Sequence, residues 1–324
     1  MRNLCEIMQT QGIKQRTRIL KILSSKGFIS GEQIAGICNI SRIAVWKHIS
    51  YLINNGVKIK VHSNKGYEFA GFGHRLLPEI IKLYLGKEKF IKDIIYFDEV
   101  DSTNNAAKEI LKEKNLIIAE QQKKGRGRSG KYWKSEKYKD ILCSVIFSPQ
   151  VPYYYLPIFN IIGSLSVAVA LNKLYKIKAK TKWPNDVLIN NKKISGVLVE
   201  FIAEFDLIDK LILGIGVDVN SQPKFKNSTS LSVLMGDKVD RAKLLNRIIY
   251  ELEKLYLLIE DKKFEKIQKI WIRYSLDYKQ KVKIIQENQR LIGVSLGIDN
   301  YGNLILKKGR KNQIVYPANS LRLL

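Results

Sequence analysis

At 324 residues, 45% of them hydrophobic, the chain is too long for one ordinary core and reads as a globular protein of two or three domains. Its 56 Lys and Arg against 30 Asp and Glu give a formal charge of +26, a balance that favours polyanions (DNA, a nucleotide, an acidic partner) or lies spread over a solvated lysine-rich surface. Three scattered cysteines, Cys5, Cys38 and Cys143, exclude a disulfide framework and a zinc site. They read as inert thiols of a reducing cytoplasm. No N-terminal apolar region looks like a signal peptide, and the longest apolar patch, residues 161–171, falls short of the roughly twenty residues a bilayer requires. The expectation is a soluble cytoplasmic protein with no membrane partner.

The first element is a helix over residues 16–26, with Ile19, Leu20, Ile22 and Leu23 at helical spacing. Ser30 caps a second helix, and a turn near Asn39 leads to Ser41, which caps a third. That third helix carries Ile43, Val45, Ile49 and Leu52 on one side and ends at Gly56. Residues 57–61 and 67–69 alternate around an Asn64-Lys-Gly66 turn, which makes a small hairpin. Three helices and a hairpin are the winged helix-turn-helix pattern, placed in residues 1–72. Residues 1–70 hold eleven Lys and Arg against three Asp and Glu, a net +8. Arg42, Lys47 and His48, with Ser41 at the helix start and Lys58, Lys60, His62 and Lys65 on the wing, are the candidates for DNA contact. The competing use of such a domain is protein contact alone, and Trp46 is either exposed for a contact or, the commoner fate, packed against the preceding helix.

Gly71-Phe-Gly73 reads as a linker to a central mixed α/β domain over residues 76–270. Its strand candidates are 94–97, 116–120, 141–147, 179–183, 196–201 and 211–219, with helices at 159–175 and 241–259. Residues 271–324 carry short strands at 281–284, 291–296, 304–306 and 313–316 between turn signals, which reads as a small barrel-like β domain. The whole is an α+β multidomain chain.

The chemistry concentrates in the central domain. Gln122-Lys-Lys-Gly125-Arg126-Gly127-Arg128-Ser129-Gly130-Lys131-Tyr132-Trp133 joins three glycines, which let backbone approach a ligand, to a positive loop closed by an indole. Its G-x-G-x-x-G spacing suggests a dinucleotide turn, but no helix opens at Gly130 and Asp140 follows after only ten residues, where the fingerprint asks for about twenty. Lys182-Trp-Pro-Asn-Asp186 is a turn ending in a carboxylate, and Lys192-Lys193-Ile-Ser-Gly196 opens the next strand. Gly214-Ile-Gly216-Val-Asp218 places two glycines on an otherwise apolar strand, the mark of a close approach by a ligand or another backbone. His48, His62 and His74 all lie in or beside the first domain, away from these motifs, which argues against a His-dependent hydrolase.

In this order and spacing the three segments resemble the biotin protein ligases, and the N-terminal region resembles the subset that also acts as biotin operon repressor. The resemblance implies a central domain of the class II synthetase/biotin–lipoate ligase fold and a C-terminal SH3-like β-barrel. It implies ATP and Mg²⁺ as co-substrate and metal, biotin as substrate, and formation of biotinyl-5′-AMP followed by transfer to a lysine of a biotin carboxyl carrier protein. Ser102, Thr103, Asn104, Gln122, Gly125, Arg126, Gly127, Arg128, Lys193, Gly214 and Gly216 then contact biotin. Arg128, Lys131, Trp133, Asp186, Asp218 and Arg322 contact ATP or the adenylate, with Asp186 and Asp218 as possible Mg²⁺ ligands. Lys193 and Arg128 carry the catalytic charge. The family usually has Arg at the position of Lys131 and Asn at that of Asp218. Asp218 either binds the metal directly or weakens ATP binding through its extra charge. Operator DNA is the other implied partner, bound by a homodimer loaded with the adenylate. A lipoate protein ligase, which shares the fold, and a biotin-sensing repressor without ligase turnover are the alternatives.

Overall fold

The computed structural model describes the backbone of residues 2–85, 90–286, 289–317 and 320–323, and side chains within residues 11–85, 90–285 and 290–317. The chain forms two compact units, Met1–Glu88 and Lys89–Leu324.

The first unit consists of helices α1 (Arg2–Ser25), α2 (Gly31–Cys38) and α3 (Arg42–Asn54), strands β1 (Lys58–His62) and β2 (Gly66–Gly71), and helix α4 (Pro78–Leu85). Ser30 and Gln33 form a reciprocal capping box at α2, and Ser41 Oγ accepts the Ala44 N–H at α3. Ile19, Leu23, Ile34, Val45 and Ile49 close the core between the helices. Ile43 does not join them. It is 68% exposed, and of the two readings for Trp46 the exposed one holds, at 59%. The helical period explains both, since Val45, Ile49 and Leu52 take the buried stripe and leave 43 and 46 on the opposite face. Helix α4 falls in what reads as the start of the central domain. It packs on α1 through buried Ile80 and Ile81, and its buried Glu79 accepts from Arg16 Nε at 2.5 Å.

The second unit is built on a seven-stranded sheet in the order β3-β4-β5-β9-β8-β7-β6. Its strands are β3 (Asp93–Phe97), β4 (Asn115–Ala119), β5 (Ile141–Phe147), β6 (Lys180–Lys182), β7 (Asp186–Ile189), β8 (Lys192–Glu204) and β9 (Leu207–Val217). Only β3 and β4 are parallel. Side chains alternate across a strand, so β9 has two unlike faces. Leu213 meets Gly163 of helix α6 (Leu156–Tyr175) on one face. On the other, Ile212 packs with Ala107 of helix α5 (Thr103–Ile110), and Gly214 and Gly216 continue that face without side chains. Helix α6 is long and apolar enough to cross a membrane by length and composition, more than the shorter apolar patch suggests. Here it is buried between the sheet and helix α8 (Arg241–Glu260).

Helices α7 (Leu231–Met235) and α9 (Phe264–Tyr274) precede and follow α8. The C-terminal strands β10 (Lys281–Gln286), β11 (Gln289–Ile298), β12 (Leu304–Lys308), β13 (Lys311–Val315) and β14 (Ser320–Leu323) pair antiparallel in the order β13-β12-β11-β10-β14. The expected barrel is, among the described residues, an open sheet whose edge strands β13 and β14 do not pair.

Candidate active site and DNA-binding face

The Gly214–Gly216 face of the sheet is the floor of a cavity of about 650 Å³, within the range of small-molecule sites. Gly214 faces α5 so closely that an added Cβ would stand 2.3 Å from Asn104 Oδ1, and at Gly216 it would stand 2.6 Å from the Trp133 indole. A side chain at either position would displace Asn104 or the Trp133 indole. The indole lies across Gly196 and Gly216, and Lys193 Nζ sits 5.6 Å from the centre of a Trp133 ring.

One wall is a buried polar shelf at the start of α5. Gln122 Oε1 accepts the Thr103 N–H at 2.7 Å and the Thr103 hydroxyl at 3.1 Å. Ser144 Oγ lies 2.8 Å from Thr103 Oγ1 and 2.7 Å from Asn104 Oδ1. Asn104 Nδ2 donates to Glu200 Oε2 at 2.7 Å, and Glu200 also pairs with Lys108 at 2.6 Å and with Arg126 at 3.3 Å. Burial pushes the Glu200 carboxyl upward, but the Lys108 and Asn104 hydrogen bonds and the Arg126 charge outweigh it and hold the group below its ordinary value. Ser102 stands at the N-cap position of α5 but makes no side-chain cap bond.

The glycine–arginine loop forms the roof. The Trp133 N–H donates to Gly125 O at 2.8 Å and the Gly127 N–H to Lys131 O at 2.7 Å, closing a narrow hairpin around the short 3-10 turn Arg128–Gly130. No α-helix opens at Gly130, which removes the dinucleotide reading. Arg128 points inward and donates to Asn185 Oδ1 at 3.3 Å. Burial lowers its pKa, with the charge of Asp186 acting the other way. Lys193 and Asp186, on β8 and β7, pair at 2.5 Å. The turn that presents Asp186 is fixed from the C-terminal segment: Asp277 Oδ2 accepts the Trp183 N–H at 2.6 Å, and Gly302 O accepts the Trp183 indole N–H at 3.1 Å. Asp277 is fully buried, which pushes its pKa to about 7.

Asp218 lies just beyond β9. Its Oδ1 is 2.5 Å from Lys224 Nζ, and Lys224 is also 2.6 Å from Asp140 Oδ2.

The cavity lining includes Ser102, Thr103, Asn104, Gln122, Arg126, Gly127, Arg128, Lys131, Trp133, Asp186, Lys193, Gly214, Gly216 and Asp218. Gly125 is absent from the lining and packs behind Trp133. Arg126 faces Glu200 and Asn105 at the cavity edge. The Arg322 side chain lies outside the described residues. Sequence reasoning passed over Ser144, Glu200, Lys224 and Asp277. Their partners are distant in sequence, and no local motif marks them.

In the first unit, Arg42, Lys47 and Lys65 are exposed, with Ile43 and Trp46 on the same outward side of α3. His48 is half-buried, and burial and the Arg16 charge lower its pKa. Lys60 pairs with Glu68 at 3.2 Å. His62 stacks edge-on with Phe28.

The model of the biotin/lipoate A/B protein ligase family matches residues 96–218, and that of an HTH domain matches residues 15–68. The bifunctional ligase/repressor BirA of Bacillus subtilis is 33% identical over 316 residues, 94% of this chain and 97% of the relative. The chain belongs to the bifunctional ligase/repressor family. The Escherichia coli member is 28% identical, with 90% of this chain and 92% of the relative aligned. Among solved structures, a biotin protein ligase from Aquifex aeolicus in complex with biotin and ATP matches with a TM-score of 0.62 and 29% identity. It covers 72% of this chain and all of its own.

Proposed function

We propose that this family member is an AMP-forming, ATP-dependent biotin protein ligase that also acts as a biotin-responsive repressor. The observation that carries the reading is one cavity in which Arg128, Lys193 and Asp186 meet the Trp133 indole where it lies over Gly216 of β9 and Gly196 of β8. A carboxylate resists attack by an amine, so it must first be activated. In the first step a biotin carboxylate oxygen attacks the α-phosphorus of ATP. The acyl phosphate bond forms, the bond to the β-phosphate oxygen breaks, and pyrophosphate leaves. Arg128 and Lys193 are fixed cations for the charge that gathers on the phosphorus oxygens. In the second step the ε-amine of a carrier lysine attacks the acyl carbon and loses a proton, and AMP departs with the electrons of the broken bond. The hairpin roof keeps water from the mixed anhydride.

Asp186 is the carboxylate best suited to Mg²⁺. It is a hard oxygen donor on the cavity wall, and Mg²⁺ at a nucleotide takes one or two carboxylates beside phosphate oxygens. Asp218 fits less well because it is more deeply buried: its side chain is 9% exposed against 28% for Asp186, and its lysine partner is buried with it, whereas the Lys193 that pairs with Asp186 is 37% exposed. The ion would offset phosphate charge.

The Ser102–Asn104 shelf, with Ser144 and Gln122, offers alternating donors and acceptors suited to the biotin ureido ring. Gly214→Ala should therefore push Asn104 out of this shelf and raise the KM for biotin by about tenfold, the range expected from overpacking. Steady-state kinetics at saturating ATP checks this, and an unchanged KM would remove Asn104 from the biotin site.

For the repressor role, the exposed cations of α3 and the wing suit phosphate contacts, while Ile43 and Trp46 suit apolar contact in the major groove. Adenylate-loaded protein would dimerise and read paired half-sites, and the cytoplasm is the compartment where carrier and operator meet it. We read the C-terminal sheet as the SH3-like module of the family. The deciding experiment incubates the protein with biotin, ATP, Mg²⁺ and a biotin carrier domain. A mass gain of one biotinyl group on the carrier supports the reading, and no gain sinks it.

A further inference from the structure

At the Asp218 end of the cavity, three charged side chains are almost wholly removed from water. Asp140 has 0% side-chain exposure, Lys224 4% and Asp218 9%. Lys224 Nζ stands between the two carboxylates, 2.6 Å from Asp140 Oδ2 and 2.5 Å from Asp218 Oδ1. Asp140 is held by backbone as well: its Oδ1 accepts the Val219 N–H at 3.1 Å and its Oδ2 the Glu136 N–H at 3.5 Å. Asp218 and Lys224 both line the cavity that holds Arg128 and Lys193, while Asp140 lies behind them. Burial, reinforced by the Asp140 charge, pushes the Asp218 carboxyl up to about 6 against the pull of Lys224. A cavity that takes up a polyphosphate thus carries two carboxylates at one end, with one buried lysine to offset them.

Lys224 also belongs to the loop that touches the strand of Lys193. The Lys193 N–H donates to Asn227 O, and the Thr229 N–H donates to Lys193 O, each at 2.9 Å. The lysine could therefore act by charge or by holding this loop.

We propose that Lys224 is a further determinant of ATP binding. It balances Asp218, and the two act as one unit whose net charge sets the affinity for the nucleotide. This inference rests on the reading of the cavity as an adenylate-forming site. In the native group one carboxylate is in excess. Lys224→Met leaves two in excess, Asp218→Asn with Lys224→Met restores one, and Asp218→Asn alone leaves none. In a partly dry cavity, one unit charge within roughly 8 Å of the phosphates changes affinity about tenfold or more at an effective dielectric near 20.

The test is the KM for ATP in biotin-dependent pyrophosphate exchange, measured with full-length proteins at saturating biotin and Mg²⁺. Lys224→Met should raise the KM for ATP about tenfold or more, and by a larger factor than the KM for biotin. The double variant should return most of the way to wild type, and Asp218→Asn alone should bind ATP more tightly than wild type. A double variant as poor as Lys224→Met would overturn the proposal and make Lys224 a clamp for its loop. So would a raised KM in Asp218→Asn alone, which would make Asp218 a direct ligand. If Lys224→Met fails to fold, the double variant and Asp218→Asn still order the charges. A wild-type protein that does not exchange takes away the functional reading and the inference with it. Exchange by wild type with the wrong order removes only the inference.

Discussion

Replacing Lys193 by Met should slow biotinyl-adenylate formation by about 10²–10³, the loss usual for one preorganised charge at a reacting centre, or about 3–4 kcal/mol of barrier. The residue contributes little to packing: its side chain is 37% exposed, and its ammonium reaches Asp186 and the face of Trp133. The melting temperature should therefore stay close to wild type while kcat falls. The variant also removes the ammonium paired with Asp186 and leaves Arg128 as the remaining cation acting on that carboxylate, so a smaller rise in the KM for ATP is expected from the less compensated charge. Single-turnover formation of the adenylate separates chemistry from product release. A near-wild-type rate would strip Lys193 of its role and leave Arg128 as the acting cation.

The second large effect concerns the first unit. Removing Met1–Glu88 should abolish operator binding and leave much of the ligase activity, because every cavity residue lies beyond Lys89. The position of the cut matters. Truncation at residue 72 would leave α4 behind without α1, baring Leu76, Leu77, Ile80 and Ile81, all buried in the intact unit. That product should aggregate, whereas a chain starting at Lys89 should not. For the intact protein loaded with biotin and ATP, six to ten phosphate contacts would cost about 10³–10⁵ in affinity between 50 and 200 mM salt. Promoter DNA bound no better than random DNA across that range would end the repressor assignment.

What could be read from the chain beforehand divides by the range of the interactions. The glycine loop, the Lys182–Asp186 turn and the Gly214–Gly216 strand were legible because each packs its requirement into a few consecutive residues. The winged helix-turn-helix was legible through its capping serines and helical spacing. Helix α4 was missed because its sequence, Pro78–Leu85, follows a glycine-rich linker and its partner α1 is more than fifty residues away. Ile43 was assigned to the wrong face because hydrophobicity alone does not say which of two adjacent stripes turns inward. The Glu200, Ser144 and Asp277 contacts are long-range polar pairings with no local signature. Lys224 is one lysine among many in a chain of high positive charge, and only its depth sets it apart.

The four tryptophans give the molecule a built-in spectroscopic division of labour. Trp271 is buried in the second unit away from the cavity and should give a constant, blue-shifted emission that collisional quenchers do not reach, while Trp183, also buried, lines the cavity. Trp133 lies beside two glycines in the same cavity, so these two indoles should report its occupancy. Trp46 stands on the outer face of α3, where iodide should quench it, and on the repressor reading bound DNA would shield it. Substituting Trp133 or Trp46 by Phe, one at a time, therefore assigns each optical change to one ligand. The loading of the cavity and the grip on DNA can then be followed in a single cuvette without any attached dye.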